Sequence, residues 1–210
     1  MKHLASRLTG SLGLALALGS AAVAAPQTFD FKDPKGVNNA VFLLDAPLES
    51  INGTASGVSG TVTFEAANPA GLQGRIVVEA ASLHVPNPMM KEHMHGRDWL
   101  DVTNHKEITF EAIQVGKVAK TGDETSTADV TGKFTLKGVT REITVPVRLT
   151  YLKDKLGART NGRMQGDLLV IRSTFNIKRS DFGINPGAPA DKVSDVIQLT
   201  LSLAGAAPRN

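Results

Sequence analysis

The residues best suited to chemistry gather in one stretch. His84, His93, His95 and His105 lie in or beside the segment Pro86 to Leu100, which also carries Met89, Met90 and Met94. Neutral imidazoles at His93-x-His95, on a strand or loop, would chelate a divalent metal, and the thioethers would add soft ligands suited to copper. No Cys is present, and no clear carboxylate completes a ligand spacing. The competing reading is a polar cover whose Met residues pack on the rim of the main fold. Two charged pairs, Arg97-Asp98 and Arg179-Ser-Asp181, read first as structural ties, each carboxylate holding a loop to an Arg or to backbone N–H groups. Their functional reading sets one of these Arg residues against the polar head of a bound molecule. No Gly-x-Ser-x-Gly elbow, phosphate loop, dinucleotide fingerprint or His-Glu-x-x-His occurs, so no catalytic residue is assigned and the chain is not read as an enzyme.

The elements that must position these residues begin after an export signal. Lys2 and Arg7 form a positive start, Leu12 to Leu18 an apolar core, and Ala22-Val-Ala24 a small-x-small cleavage site. A cut after Ala24 is expected, giving a signal peptide over 1–24 and a working domain over 25–210. The apolar run is far shorter than the ~20 residues that span a bilayer. Losing Lys2 and Arg7 lowers the formal net charge from +3 to +1, and the remaining Lys and Arg are scattered, so no nucleic-acid surface is expected. The absence of Cys leaves an exported fold without disulfides.

Alternation with period 2 dominates the rest, and that is the mark of strands with one buried face. Val130, Phe134 and Leu136 precede Lys137-Gly138, and Ile143, Val145, Val147 and Leu149 follow it. This is a hairpin whose Gly admits positive φ. Further inward sets are Val62 and Phe64; Ile76, Val78 and Ala80; Ile108 and Phe110; Ile171, Phe175 and Ile177; and Ile197, Leu199, Leu201 and Leu203. Val41 to Leu44 reads as a buried or curved strand, Ile51 to Gly57 as a turn or irregular edge, and Lys120 to Ala128 as an exposed loop. The segment from Pro86 to Leu100 has no period of 2; Asn87-Pro88 would open one or two helical turns there. The fold class is therefore all-β, about eight antiparallel strands with a short helical or irregular crossing segment. Closure into a barrel removes exposed edges; a two-sheet sandwich is the alternative. With one Trp and one Tyr the chain lacks the aromatic girdles of a membrane barrel.

Two stretches carry a family likeness. Thr131-Gly-Lys-Phe-Thr-Leu-Lys-Gly-Val-Thr-Arg-Glu-Ile143 resembles the G-x-L-T-(I/L)-x-G-V-T-(K/R) signature of the YceI-like family, and Phe175-Asn-Ile-Lys-Arg-Ser-Asp-Phe-Gly-Ile184 resembles its (I/L)-x-R-S-D-F-G-(I/L) signature. Weaker elements at Ser59-Gly60 to Phe64, Arg97-Asp98 and Ile108-Thr-Phe110 follow in order, so the likeness spans roughly 28–203. The resemblance implies an extended lipocalin-like barrel, exported to the periplasm, that holds a polyisoprenoid chain such as a quinone or prenyl lipid. Two stretches depart from the family pattern: Asp33 to Asn39 contains no His where Asp-x-x-His is usual, and 86–96 replaces a short link. Both are expected at the barrel mouth.

The function so expected is a periplasmic carrier with an apolar lipid as its partner and no required cofactor. The expected lumen is lined by Val62, Phe64, Ile76, Val78, Ile108, Phe110, Phe134, Leu136, Ile143, Val145, Val147, Ile171, Phe175, Ile197, Leu199 and Leu201. Met90, Met94, Arg97, Trp99 and Arg179 are expected at the mouth. Pairing of barrels into a homodimer is compatible with this reading. The alternatives are copper or zinc binding through His93 and His95, and a structural stress protein whose core is filled.

Overall fold

The structure is a computed structural model and describes residues 25–209; the expected signal peptide and cleavage site lie outside the described residues. Ten strands form one antiparallel sheet: β1 Gln27–Asp30, β2 Asn39–Asp45, β3 Ser50–Ala55, β4 Val58–Phe64, β5 Gln73–Glu79, β6 Glu107–Lys120, β7 Thr125–Leu136, β8 Val139–Leu152, β9 Gln165–Lys178 and β10 Val196–Arg209. Helix α1 spans Pro88–His95 and helix α2 spans Leu156–Arg159.

The sheet closes as an eight-strand barrel. β10 pairs with β9 along one edge and with both β2 and β1 along the other, with Asp30 opposite Ala206. β1 continues the seam that β2 begins, and β4 continues β3, so ten strands make eight staves. A sandwich would leave open edges where β1 meets β10.

The pleat sets which residues point in. In β7 the burial alternates so that Ala128, Val130, Gly132, Phe134 and Leu136 are buried. Lys137 and Gly138 both take positive φ, 49° and 74°, the two-residue turn whose twist matches its flanking strands. Gly132 has a different task. A Cβ there would sit 2.5 Å from the Phe110 ring, so glycine lets that ring lie against the backbone of β7.

Several elements differ from the sequence-based expectation. Ile51 to Gly57 is not a turn: most of it is β3, paired with β2. Val41 to Leu44 is not buried on both faces; Phe42 and Leu44 point in, and Val41 is 39% exposed. β6 runs on to Lys120 through register shifts between Ala112 and Gln114 and between Gly116 and Ala119. Those bulges break the period of 2 that betrays a strand. The loop expected over Lys120 to Ala128 shrinks accordingly.

β8 and β9 pair only from Val147 opposite Ser173 to Leu152 opposite Leu168. Pro146 has no N–H to donate, and its carbonyl instead accepts from Ser173 Oγ at 2.7 Å. Beyond it the two strands part towards the α1 end. The gap between them is bordered by Arg141, Ile143, Lys178 and Phe182.

The Asp33 to Asn39 loop lies at the end opposite α1, which corrects its expected place at the mouth. It packs beside α2, where Arg159 lies 3.4 Å from Asp33. The Asp33 carboxylate accepts N–H bonds from Val37 and Asn38, each at 2.7 Å, and from Lys35 at 3.1 Å. Burial by itself would raise the Asp33 pKa, but these donors and Arg159 outweigh it and hold it below the ordinary carboxylate value. A depressed pKa means stability that is present at neutral pH and lost as pH falls through the acid range. Asp33→Asn is therefore expected to lower the melting temperature at pH 7, with the gap from wild type narrowing below about pH 4. Thermal melts across pH check this, and a gap independent of pH would contradict it.

Candidate functional site

Inward residues leave a cavity of about 200 Å³ in the half of the barrel nearest α1. The far half is filled. Phe29, Phe31 and Leu169 are fully buried there, and Tyr151 stacks edge-on to Phe29 at 6.3 Å between ring centroids. Below them Asp167, 2% exposed, accepts from Tyr151 Oη at 2.7 Å, Asp154 N at 2.8 Å and Arg209 Nη2 at 3.1 Å. Burial and the Asp167 carboxylate push the Tyr151 phenol pKa up, so the plug stays protonated and hydrogen-bonded at neutral pH. The tube is blind at this end.

Every stave from β4 round to β10 contributes to the cavity wall. Val62, Ile76, Val78, Ile108, Phe110, Phe134, Leu136, Val145, Val147, Ile171, Phe175, Ile197, Leu199 and Leu201 all face it. Two expected members do not. Phe64 points inward but lies below the cavity, 6.5 Å from the Tyr151 ring, as part of the plug. Ile143 falls where β8 leaves β9 and borders the side gap instead. Alternation reports which face a side chain takes; it carries no information on height along the barrel axis.

Alternation also missed wall residues that come from loops. Leu83, Leu100 and Ile184 line the cavity towards its α1 end, and no strand periodicity marks them. Thr109, Ser173 and Arg179 are the described wall residues with a hydroxyl or a charge, and the Ser173 hydroxyl is already committed to Pro146.

Of the expected mouth residues, Met94, Trp99 and Arg179 are in the wall. Met90 packs on the core outside it. Arg97 is exposed and stands away from the cavity. The loop ties run differently from the expected carboxylate pairs. Asp98 works through its backbone carbonyl, which accepts from Lys137 Nζ and Asn185 N, each at 3.0 Å. Asp181 likewise offers its carbonyl, to Arg141 Nε at 3.2 Å. The carboxylate that ties this loop is Asp195, taking Ser180 N at 2.9 Å and Ser180 Oγ at 2.8 Å. Burial would raise the Asp195 pKa, but the Ser180 donors, Arg179 and Lys178 hold it below the ordinary value.

The His-x-His chelate does not form. Asn87 caps α1 by accepting from Met90 N at 3.1 Å, so His93 and His95 sit two apart on a helix, where side chains do not face each other. His95 Nε2 bonds the Leu83 carbonyl at 2.8 Å, while His93 is exposed. His84 bridges Thr54 through its backbone, and the His105 ring lies against Gly138. Among the described residues no three His, Asp or Glu side chains gather as a metal site.

Comparison with known proteins agrees with this geometry. The sequence pattern of the YceI-like domain matches residues 37–204. The chain belongs to the YceI-like family. It is 32% identical over 177 residues to a UPF0312 protein of Pseudomonas fluorescens, covering 80% of this chain and 84% of that one. It is 29% identical over 145 residues to Protein YceI of Shigella flexneri, covering 69% of this chain and 70% of that protein. Among solved structures, BcnA of Burkholderia cenocepacia aligns with TM-score 0.65 at 22% identity, covering 80% of this chain and 95% of that one. A polyisoprenoid binding domain from Saccharophagus degradans, implicated in plant cell wall breakdown, aligns with TM-score 0.62 at 13% identity, covering 88% of this chain and all of that one. At these identities the structures speak for the fold. No helix among the described residues is long and apolar enough to cross a membrane.

Proposed function

We propose that this YceI-like barrel is an exported binding protein that holds a long-chain polyisoprenoid lipid, a prenylquinone or similar molecule, with its tail in the barrel. The observation that carries this reading is the apolar cavity above a plugged floor: a pocket blind at one end and greasy along its walls suits a tail that enters from the α1 end. The polyisoprenoid-binding neighbour of the same fold supports the same class of ligand, and the N-terminal segment supports export to the periplasm. Transfer of ~0.8 kcal/mol per buried CH₂ gives about 4 kcal/mol gross for each five-carbon unit. Association itself costs several kcal/mol, so one unit is too little and affinity should climb with chain length until the cavity is full.

The test is uptake of a prenylquinone series of increasing tail length, read by native mass spectrometry, by wild type and by Val147→Trp. Val147 is a cavity-wall residue flanked by Ala128 and Ser173 on neighbouring strands. An indole there would occupy the void, and overpacking elsewhere would cost about 1–3 kcal/mol. Wild type is expected to bind the longer tails, and the folded variant to lose them. No uptake at any length, or undiminished uptake by the variant, would remove the reading.

A further inference from the structure

The cavity wall carries one charge among the described residues, near its α1 end. Arg179 is 3% exposed and belongs to the wall. Its Nε donates to the Ser194 carbonyl at 3.4 Å. Its Nη1 donates to the carbonyls of Ile184, at 2.6 Å, and Asn185. The guanidinium carbon lies 5.8 Å from the centroid of the Trp99 ring, itself a wall residue. Its Nη2 donates to no acceptor among the described residues. Among those residues the ion pairs involve Arg75, Lys117, Arg159 and Arg209, and none involves Arg179. Asp195, whose carbonyl accepts the Arg179 backbone N–H at 2.7 Å, commits its carboxylate to Ser180.

A buried cation whose hydrogen-bond acceptors are all neutral is costly, because carbonyl dipoles, an aromatic face and the charge of Asp195, which forms no ion pair with it, replace only part of its hydration. Here the Nη2 amino group, with its two N–H donors, remains unused in an apolar wall, and Arg is the side chain best shaped to take a planar or tetrahedral oxyanion. The carbonyls that hold Nε and Nη1 fix the fork, so little order would be lost on binding. We propose that Arg179 is the head-group site of this cavity, and that it selects single-chain amphiphiles ending in an oxyanion, carboxylate or phosphate, over the same chains ending in a neutral hydroxyl. The assignment rests on the lipid reading above and adds the chemistry of the head.

Matched ligands test it without altering the protein. Palmitate and hexadecanol share one chain; farnesyl phosphate and farnesol share another. Affinities come from displacement of a fluorescent fatty probe, with the emission of Trp99, the only tryptophan, as a local report. In wild type each anion should bind about tenfold or more tighter than its alcohol, the size of one charge-assisted hydrogen bond. A preference confined to palmitate assigns a carboxylate head, and one confined to farnesyl phosphate assigns a phosphate head. In Arg179→Gln the alcohols should bind as before while the anion preference falls to near unity. Should that variant fail to fold for want of its loop ties, the wild-type ratios still decide. Ratios near one in wild type overturn the head-group assignment and leave the lipid reading standing. No binding by any of the four overturns both.

Discussion

Phe134→Asp is expected to abolish cooperative folding at neutral pH and with it all lipid uptake. Phe134 is 6% exposed, in the cavity wall, and meets Phe182 and Phe175 edge-on at centroid distances of 5.5 and 6.3 Å. Removing a core aromatic costs about 3–5 kcal/mol. An ionised carboxylate left in that apolar space adds several more unless it takes up a proton. A domain of ordinary stability, roughly 5–15 kcal/mol, has little left after both. The sign with pH is fixed: burial raises the pKa of the introduced carboxylate, so the variant should recover some structure as pH falls through that raised value. Circular dichroism melts at several pH values read this directly. Phe134→Leu, which keeps the wall apolar, should fold and melt at a lower temperature. A wild-type melt from Phe134→Asp at pH 7 would mean that this side chain does not face a closed interior.

The second large effect is expected at the seam. Between β1 and β2 the chain leaves β10, and the Asn38 side chain fills the break. Its Oδ1 accepts from Ala204 N at 2.8 Å; its Nδ2 donates to the carbonyls of Phe31 at 2.9 Å and Ala204 at 3.2 Å. Asn38 is 2% exposed. One amide thus stands in for the missing rung between two strands. Asn38→Ala leaves three buried backbone groups without partners, at about 1–3 kcal/mol each, so a loss of roughly 3–9 kcal/mol is expected. Asn38→Asp should do worse, since it keeps an acceptor for Ala204 N but sets a carboxylate against two carbonyls. Denaturant titration gives the loss, and hydrogen exchange should show the Ala204 amide opening well before amides in the middle of β9. If Ala204 stays as protected as in wild type, the side chain is not what closes the barrel.

Much of this was legible in the sequence, for a local reason. Phe134, Val145, Phe175 and Leu199 announced their faces because the pleat repeats every two residues whatever lies across the sheet. Lys137-Gly138 announced its turn because positive φ is a property of two residues alone. Ile113 and Val118 hid the length of β6 because each sits beside a bulge that shifts the register by one. β3, with the single large apolar residue Ile51 among Ser, Asn, Gly and Thr, hid because its partners on β2 supply the order that its own composition does not.

By itself, then, the sequence determined the all-β class, the inward face of most staves and the family, since each of these is written in residue types over a few positions. Tertiary structure alone decided the rest. It closed the seam through Asn38 and Ala204, 166 residues apart. It sent the Asp33 loop to the plugged end, turned His93 away from His95 on a helix, dropped Phe64 below the cavity and buried Arg179 in the cavity wall. A void, a depth along an axis and a donor left without an acceptor depend on how distant segments fit together, and no window along the chain contains them.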